Sequence, residues 1–446
     1  MLKKNIIKGK CVDISSEGKG VIKTVYGVVF VDSLLLGEEA EIEITYAGKG
    51  VSYGVIKRLL SKSPDRIDPK CPISTACGGC VFQNASYEYE LRYKKHKVEE
   101  DLKRIGHLEN IKVEGVLGMD NPEHYRNKIQ VPFGKENKHV IYGFYKAKTH
   151  KIIPIKQCNI EDVKAGPILK NIALLMENFH IDPYNEDYRT GIIRHVLIRT
   201  SLSTGEVMVV FVSNADTFPG RNNFIKELVK LNPEISTVIF NVNKRDTNVI
   251  LGESEKTLYG KGYITDEILG LKFNISSKSF FQVNPIQVQK LYGEAIRLAN
   301  LKKDDVLLDA YAGVATIGLL CAPHVKKVTS VELVKSAVIN AKNNAKLNNI
   351  QNIEIIEADC TEYINKNLPH FDVVIMDPPR KGSTPEFLSA IKKIKPSRLV
   401  YISCDPSTLA RDLENLSDTF KIEKVQPVDM FPRSFHIENV CLLTLK

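Results

Sequence analysis

Residues 306–318 have the sequence VLLDAYAGVATIG, in which a short apolar run is followed by a loop of small residues. The first three residues are apolar and predict a buried strand that ends at Asp309. Gly313 follows four residues later, and a helix-type pattern begins near Thr316. A glycine after a strand lets the backbone come close to a ligand at the N-terminus of the next helix. The stretch therefore predicts a strand–loop–helix unit with a ligand at its loop.

The same strand–helix pattern continues through the rest of the chain. From about residue 286, strand-type runs alternate with helical stretches, and the runs lie at residues 306–309, 327–332, 353–358, 372–376 and 398–403. Strands that alternate with helices predict a parallel, doubly wound sheet, which binds ligands at the carboxyl ends of its strands. We therefore expect an α/β protein in which residues 286–446 form a Rossmann-like catalytic domain.

The 446 residues are too many for one ordinary domain, so two or three are expected. Residues 1–60 contain short β-type runs separated by glycines, which predict a small antiparallel barrel of about five strands. Barrels of this size are common platforms for oligonucleotides. Residues 61–70 are polar with two prolines and resemble a linker. We expect residues 61–285 to form a mixed α/β central domain.

The composition favours a soluble protein with a polyanionic partner. Hydrophobic residues make up 43% and charged residues 26% of the chain, as in globular proteins. No apolar run approaches the roughly 18 residues that span a bilayer, and MLKKNIIKGK at the N-terminus does not resemble a signal peptide. We expect a cytoplasmic protein with neither a membrane contact nor an obligate protein partner. The net charge is +9, and residues 91–160 have 15 Lys and Arg against 8 Asp and Glu.

Acidic residues close three of the predicted strands. Asp309, Glu332 and Asp359 occupy equivalent positions, and a carboxylate after the second strand can bind the hydroxyls of a ribose. The loop lacks the G-x-G-x-x-G pattern of dinucleotide sites, so a pyrophosphate ligand is disfavoured. One acidic residue at a strand end is more often a helix N-cap. Three in register, with the small loop at Gly313, predict a site for S-adenosylmethionine.

The sequence Asp377-Pro-Pro-Arg380 follows the fourth strand. The prolines stiffen this loop and hold Asp377 over the expected cofactor pocket. Methyltransferases that act on amino groups usually have an aromatic residue after the two prolines. Arg380 at this position therefore argues against an exocyclic amine as the methyl acceptor.

Cys404 follows the fifth strand in Ser-Cys-Asp-Pro at residues 403–406. A buried cysteine is usually inert, but this one is predicted at the ligand edge, where a helix dipole and unpaired N–H groups would favour the thiolate. Attack of a thiolate on C6 of uracil makes C5 nucleophilic towards a sulfonium methyl group. A base must then remove the C5 proton, and Glu438 is the first candidate, with His436 as the alternative.

Three cysteines lie close together as Cys71-x5-Cys77-Gly-Gly-Cys80. The spacing differs from the C-x3-C-x2-C of radical enzymes that cleave S-adenosylmethionine. A structural zinc site would usually show a second C-x2-C pair. Three clustered thiolates and a distant fourth suit a [4Fe–4S] cluster. Because methyl transfer moves no electrons, we expect such a cluster to have a structural role.

Five motifs together resemble the RNA 5-methyluridine methyltransferase family, the TrmA/RlmD-like enzymes, and the resemblance covers essentially the whole chain. They are FFQVN at residues 280–284, DAYAG at 309–313, DPPRKG at 377–382, SCDP at 403–406 and HIENV at 436–440. The resemblance implies that Cys404 is the nucleophile and Glu438 the proton acceptor. It also implies a TRAM-type RNA-binding domain at the N-terminus. The cofactor contacts that it implies are Gln282, Tyr311, Glu332 and Asp377.

The resemblance further implies that Cys158 is the fourth cluster ligand. The family branch that acts on large-subunit (23S) rRNA has this cysteine set, and the tRNA branch generally lacks it. We therefore expect the substrate to be a uridine of rRNA in a single strand or loop, where bases unstack at low cost. Candidate RNA contacts are Arg126, Lys128, Phe144, Arg194 and His195.

Three alternatives remain open. The first is a tRNA uracil-C5 methyltransferase. The second is an RNA 5-methylcytosine enzyme, which usually has a second cysteine after the paired prolines, where this chain has Arg380 and Lys381. The third is a non-catalytic RNA-binding iron–sulfur protein, although Cys404 and Glu438 argue against it.

Overall fold

The computed structural model describes residues 6–146, 149–247, 249–367 and 370–446, with only the backbone for Asn367. Part of the N-terminal stretch interpreted above, residues 1–5, lies outside these ranges. Within the described residues, no helix is both long and apolar enough to cross a bilayer. The chain forms three large sheets, one after another along the sequence.

The first sheet is made of six strands in the order β1-β5-β6-β4-β3-β2. Their bounds are β1 (Ile6–Lys10), β2 (Asp13–Ile14), β3 (Gly20–Thr24), β4 (Gly27–Val31), β5 (Glu39–Ala47) and β6 (Gly50–Ser61). The pairing of β4 with β6 is parallel, whereas the sequence predicts only antiparallel pairs. The sheet curls strongly, since a Cβ added to Gly9 would lie 2.5 Å from the side chain of Ile22 on β3.

The second sheet has the order β13-β12-β11-β10-β7-β8-β9. Two helices precede its strands along the chain, α1 (Ser74–Cys77) and α2 (Tyr87–Arg104). Two more connect its strands, α3 (Ala165–Asn178) and α4 (Arg221–Leu231). The strands are β7 (Lys128–Glu136), β8 (His139–Tyr145), β9 (Ile152–Pro154), β10 (Ile193–Thr200), β11 (Val207–Ser213), β12 (Ile235–Val242) and β13 (Ser254–Gly260). Strands β10 and β11 are buried along their whole length. The sequence of β11 is almost continuously apolar, as expected for such a strand, whereas β10 also buries Arg194, His195 and Arg199. A hairpin, β14 (Tyr263–Ile268) with β15 (Leu271–Ser276), leads into the third sheet.

The third sheet has the order β18-β17-β16-β19-β20-β22-β21. Its strands are β16 (Val306–Ala310), β17 (Lys327–Glu332), β18 (Ile353–Glu357), β19 (Val373–Met376), β20 (Arg398–Ser403), β21 (Phe420–Val428) and β22 (Glu438–Leu445). Its helices are α5 (Gln287–Ala299), α6 (Thr316–Cys321), α7 (Lys335–Leu347), α8 (Cys360–Asn367), α9 (Pro385–Ile394) and α10 (Pro406–Leu416), with a 3-10 turn at Ala322–His324. The five strands predicted from the sequence are parallel neighbours.

Two features of this sheet determine where the site forms. The strand order reverses between β16 and β19, and such a reversal opens a crevice beyond the carboxyl ends of the strands. Strand β22 runs antiparallel to β20 and lies between β20 and β21. Its first residues therefore lie at the edge where the parallel strands end, and Asn439 pairs with Ser403. This pairing brings Glu438 to the end of β20.

Helix α2 packs on the third sheet, although the sequence assigns it to the central region at residues 61–285. Its residues Val98 and Leu102 share one apolar cluster with Leu409 of α10. The following segment continues this contact, since Val113 and Leu117 form bridges to β21. No simple boundary between the central and catalytic regions can be drawn along the sequence here, so the predicted domain limits stay predictions.

Candidate active site

A cavity of about 620 Å³ lies at the crevice beyond the third sheet. It is lined by the loops that follow β16, β17, β19 and β20, and by the start of β22. Most of the residues predicted for the cofactor and for catalysis line this cavity, namely Gln282, Tyr311, Gly313, Glu332, Asp377, Cys404 and Glu438. The structure thus brings together residues that are up to 156 positions apart in the sequence (438 minus 282).

Glu332 ends β17 and fixes the loop after β16. One carboxylate oxygen accepts a hydrogen bond of 2.8 Å from the backbone N–H of Gly313, and the other accepts one of 2.8 Å from Val334. Each oxygen keeps a further lone pair, so the carboxylate can still accept hydrogen bonds from the hydroxyls of a ribose. This arrangement fits the predicted role of Glu332.

Tyr311 is held in an unusual backbone conformation at the start of the same loop. Its φ of 61° is in the left-handed region, which is costly for a residue other than glycine and occurs mainly at functional sites. Its N–H donates to the sulfur of Cys360 at 3.3 Å, and its hydroxyl lies 2.9 Å from the hydroxyl of Ser383. The ring of Tyr311 is therefore fixed at both ends beside the cavity.

Gln282 reaches the cavity from the segment before α5. The backbone of this segment is attached to β7, because Asn127 donates from its N–H to Val283 (2.9 Å) and from its side chain to Gln282 (3.2 Å). The hydroxyl of Tyr292 on α5 is within hydrogen-bonding reach of the Gln282 side chain. Asn284 donates to the carbonyl of Met430 at 3.1 Å. The motif at residues 280–284 thus connects the second sheet to the catalytic edge of the third.

Two of the three acidic residues from which the cofactor site was predicted, Asp359 and Asp309, are not among the residues lining the cavity. Asp359 has a structural role instead. Its carboxylate accepts hydrogen bonds from the N–H groups of Thr361 (2.8 Å) and Glu362 (3.1 Å), so it caps the start of α8. Asp309 has a similar internal task, accepting from Gly318 at 3.0 Å and from Ser330 at 2.9 Å. Both carboxylates hold helices on the sheet, and a cofactor contact of Asp359 stays a prediction.

The surroundings of Cys404 differ from those expected from the sequence. Asp405 caps α10 by accepting from the N–H groups of Ser407 (3.0 Å) and Thr408 (3.1 Å), so these groups are not free to stabilise a thiolate. Burial raises the pKa of Cys404 to about 12, and the nearby charges of Glu438 and Asp377 add to the rise. The N-terminus of α10 therefore does not favour the thiolate as predicted from the sequence.

Glu438 and His436 have opposite pKa changes. Burial raises the pKa of Glu438 to about 8; the negative charge of Asp377 adds to the rise, and the guanidinium of Arg380 opposes it. Burial lowers the pKa of His436 to about 4, and Arg380 lowers it further. A group with a pKa near 8 is a much stronger base than one near 4, so this contrast favours Glu438 over His436 as the proton acceptor.

The loop between β21 and β22, at residues 429–437, supplies two further cavity residues, Phe431 and His436. The ring of His436 lies 4.2 Å from that of Phe435 and 6.0 Å from that of Phe431, measured between centroids. Phe431 was not predicted from the sequence. It lies five positions before the motif at residues 436–440, and the aromatic residue that directly precedes the motif is Phe435, which is not among the residues lining the cavity, so no sequence signal indicates Phe431.

The four cysteines of the predicted cluster line one small cavity, together with Gln83 and Phe144. All four thiols are free of disulfides. Burial raises the pKa of Cys80 to about 11 and that of Cys158 to about 12. Among the described residues, no three His, Cys, Asp or Glu side chains converge closely enough to bind one metal ion. A [4Fe–4S] cluster does not need such convergence, because each thiolate binds a different iron.

Two predicted RNA contacts are not available at the surface. Arg194 and His195 lie in β10 and are each 7% exposed. The guanidinium of Arg194 binds the carboxylate of Glu186 at 2.9 Å and the carbonyl of Arg245 at 2.8 Å, so its donors serve the protein interior. Burial lowers the pKa of His195 to about 4, which keeps it neutral. These two residues were wrongly predicted as direct RNA contacts.

Comparison with known proteins agrees with this geometry. The sequence profile of the tRNA (uracil-5-)-methyltransferase family matches residues 86–446. An uncharacterized RNA methyltransferase of Oceanobacillus iheyensis is 41% identical over 439 residues, which cover 97% of this chain and 95% of the relative. Another, from Clostridium tetani, is 42% identical over 436 residues, covering 97% and 94% of the two chains.

A solved structure extends the similarity over the whole fold. It is the tRNA (uracil-54, C5)-methyltransferase of Pyrococcus abyssi in complex with S-adenosyl-L-homocysteine. The match has a TM-score of 0.80 at 26% identity and covers 98% of this chain and 100% of that one. The predicted mixed α/β methyltransferase fold is thereby confirmed.

The doubly wound sheet, the carboxylate at the end of β17 and the cavity beside it define a methyltransferase that uses S-adenosylmethionine. The extent of the profile match and the identity to curated relatives make the assignment more specific. The chain belongs to the tRNA (uracil-5-)-methyltransferase family and is an RNA methyltransferase. The resemblance seen in the sequence motifs is confirmed.

Proposed function

We propose that this enzyme methylates C5 of a uridine in large-subunit rRNA through a covalent bond between Cys404 and C6 of the base. The observation that carries the proposal is the convergence of Cys404 and Glu438 on one cavity with Tyr311, Glu332 and Asp377. A thiol and a carboxylate beside a methyl-donor pocket are the two groups that uracil C5 chemistry requires.

The proposed reaction has two stages. When bound, S-adenosylmethionine supplies an electrophilic methyl group on a sulfonium, whose positive charge also favours the thiolate of Cys404. Once Cys404 has lost its proton to solvent, its thiolate forms a bond to C6. The electron pair displaced to C5 takes the methyl group, whose bond to the sulfonium sulfur breaks. Glu438 then accepts the C5 proton, the double bond between C5 and C6 re-forms, and the bond from C6 to Cys404 breaks. The enzyme ends with a free thiolate and a protonated Glu438.

Arg380 supports this assignment through its charge. It lines the cavity and lowers the pKa of both Cys404 and Glu438, so it favours the ionised forms that the two stages require. An RNA 5-methylcytosine enzyme would need a second cysteine near this position. In the described part of the chain, Cys404 is the only cysteine that lines the cavity.

The N-terminal sheet is proposed to be a TRAM-type RNA-binding domain. Its surface carries Tyr46 and Tyr53, which are 60% and 42% exposed and whose rings lie 6.1 Å apart. Arg58 and Lys57 follow Tyr53 on the same long strand, β6. Exposed aromatic rings beside cations are the usual platform for stacking unpaired bases. These features support binding of single-stranded RNA by the N-terminal sheet.

The four-cysteine site supports rRNA as the substrate, because the rRNA branch of the family has this set. A tRNA substrate is the second candidate. It is favoured by the similarity to the Pyrococcus abyssi protein, which is a tRNA enzyme and covers 98% of this chain. Because this structural match includes the N-terminal sheet, the presence of that sheet does not distinguish rRNA from tRNA as the substrate.

One assay tests the function and separates these candidates. The protein is incubated with labelled S-adenosylmethionine and either unmodified large-subunit rRNA or unmodified tRNA, and the RNA is digested to nucleosides. We expect label in 5-methyluridine from rRNA. Label in 5-methyluridine from tRNA alone would show that tRNA, the second candidate, is the substrate. Label in another nucleoside, or none from either RNA, would disprove uracil C5 methylation.

We further propose that Cys71, Cys77, Cys80 and Cys158 bind a [4Fe–4S] cluster. Four free thiols around one cavity, with no competing partner such as a disulfide, fit its ligand set. The cluster would stabilise this region rather than take part in the reaction.

Replacing Cys77 with serine tests the cluster. We expect wild-type protein purified without oxygen to be brown and to contain about four irons, and Cys77→Ser to be colourless with far less iron. The matched control is Cys11→Ser, a buried cysteine of the first sheet that lies outside the four-cysteine cavity. If Cys77→Ser keeps the absorbance and iron content of the wild type, the ligand assignment is wrong.

Replacing Glu332 tests the cofactor site. The Glu332→Ala variant loses the carboxylate that fixes Gly313 and that we expect to accept the ribose hydroxyls. Hydrogen bonds to a charged acceptor contribute about 1.5–3 kcal/mol, so affinity for S-adenosylhomocysteine should fall roughly 10- to 150-fold. Titration calorimetry measures this, and Glu357→Ala, the same change at an exposed strand end, is the control. An unchanged affinity in Glu332→Ala would contradict the role.

A further inference from the structure

Lys94 is a lysine with a fully buried side chain in the middle of α2. Its ammonium donates to Glu90 at 2.7 Å, to Asp429 at 2.7 Å and to the carbonyl of Phe431 at 3.1 Å. An ammonium has three donors, so each of them is matched by one acceptor. Two of the three acceptors belong to the loop at residues 429–437, which we call the catalytic loop because it carries cavity residues and leads into Glu438.

Glu90 and Asp429 extend this contact to other parts of the catalytic loop. The carboxylate of Glu90 accepts the backbone N–H of Arg433 at 2.7 Å. Asp429 accepts the hydroxyl of Tyr87 at 2.8 Å and the N–H of Phe431 at 3.1 Å. About two turns of α2, from Tyr87 to Lys94, therefore hold the catalytic loop at Asp429, Phe431 and Arg433.

Other contacts fix the remaining sides of the catalytic loop. Gln287, at the start of α5, donates to the carbonyl of Asp429 at 2.9 Å, and Tyr125 donates to that of Pro432 at 2.9 Å. The N–H of Val81, next to the four-cysteine site, donates to the carbonyl of Arg433 at 2.8 Å. Lys94 differs from these partners because it is a charged group that binds two separate points of the loop at once.

A buried ion pair is an inefficient way to stabilise a fold, because removing the charges from water costs about as much as their attraction returns. Buried polar groups can instead select one geometry from several of similar energy. Here the geometry selected is that of the loop that carries Phe431 and His436 and ends at Glu438, all three of which line the cavity.

We propose that Lys94 is a positioning residue for the reaction, which sets the catalytic loop so that Phe431, His436 and Glu438 meet the target base. This inference rests on the proposed function of Cys404 and Glu438. It predicts that loss of the ammonium impairs turnover and leaves the cofactor end of the cavity intact, because Glu332, Gly313 and Tyr311 belong to other loops.

The test compares Lys94→Met with Lys95→Met, the next residue of α2, whose side chain is 40% exposed and pairs with Glu99. We expect Lys94→Met to lower kcat at least about 30-fold on the RNA substrate and to bind S-adenosylhomocysteine within about twofold of the wild type. Amide hydrogen exchange should become faster in residues 429–437. Lys95→Met should match the wild type in all three measurements.

Glu90→Gln provides a second variant, because it keeps the shape and the acceptor for Arg433 and removes one charge. If Lys94→Met does not fold, the inference is tested with Glu90→Gln. A fall in kcat of about fivefold with unchanged cofactor affinity then supports the inference. A folded Lys94→Met with wild-type kcat and wild-type exchange overturns it. So does a parallel loss of turnover and cofactor affinity, which indicates a general structural role. Failure of this inference can be distinguished from failure of the proposed function. If the proposed function were wrong, the wild type would be inactive on the RNA, and amide hydrogen exchange and cofactor binding would still measure the effect of Lys94 on the catalytic loop.

Discussion

We expect the Cys404→Ala variant to lose 5-methyluridine formation by roughly four orders of magnitude or more, because Cys404 is the proposed nucleophile and is the only cysteine among the described residues that lines the cavity. Burial and the neighbouring carboxylates raise the pKa of Cys404 to about 12, so forming its thiolate in this cavity costs free energy. Affinity for S-adenosylhomocysteine should stay within about twofold, because the cofactor end of the cavity is unchanged. Single-turnover assays with labelled cofactor measure the first effect, and calorimetry measures the second.

The matched control is Cys321→Ala. Cys321 is buried at the end of α6 and does not line the cavity. We expect this variant to keep activity within a few-fold, apart from a modest loss of stability from the cavity it creates. Turnover by Cys404→Ala close to that of Cys321→Ala would exclude covalent catalysis by Cys404.

The second large effect is expected in Glu438→Gln. Without a base the C5 proton stays on the methylated ring, so the bond from C6 to Cys404 cannot break. We expect turnover to fall roughly 10²- to 10⁴-fold and a protein–RNA adduct to accumulate that survives denaturing electrophoresis. Asp377→Asn is the comparison, since it removes a neighbouring carboxylate of the same cavity and leaves the base in place. If Asp377→Asn accumulated the adduct and Glu438→Gln did not, the assignment of proton removal to Glu438 would be wrong.

The pH dependence provides an independent check on Glu438. Its pKa is raised to about 8, so the fraction of the base form, and with it the release rate, should fall as the pH falls through about 8. Arg380 lowers this pKa, so Arg380→Met should move the transition to higher pH. A transition near pH 4 in the wild type would instead indicate His436.

Much of the catalytic sheet could be predicted, because strands buried on both faces have unmistakable sequences. The runs that end at Asp309, Glu332 and Ser403 coincide with β16, β17 and β20 within one or two residues. Since parallel strands end at one edge, the convergence of the residues after them follows from the order of elements alone. The position of Glu438 beside Cys404 could not be predicted this way, because it depends on β22 running in the opposite direction.

The electrostatics of the site and its long-range contacts could not be predicted from the sequence. The neighbours that raise the pKa of Cys404, and the cap at Asp405 that occupies the helix N–H groups, depend on distances of a few ångströms. Lys94 has an ordinary helical sequence around it, and nothing there indicates a partner 335 residues away (429 minus 94). Periodicity also cannot distinguish Arg194, whose charge is used inside the protein, from a cation at the surface.

The insertion of β22 between β20 and β21 has a consequence for synthesis of the protein. Both neighbours are made before residues 438–445, and until these residues arrive each neighbour has an unpaired edge that can aggregate. A chain that ended before residue 438 would carry Cys404 without Glu438, the proposed base. Because the same strand completes the sheet and carries this proposed base, we expect a chain without residues 438–445 to lack both the finished sheet and the step that releases the RNA.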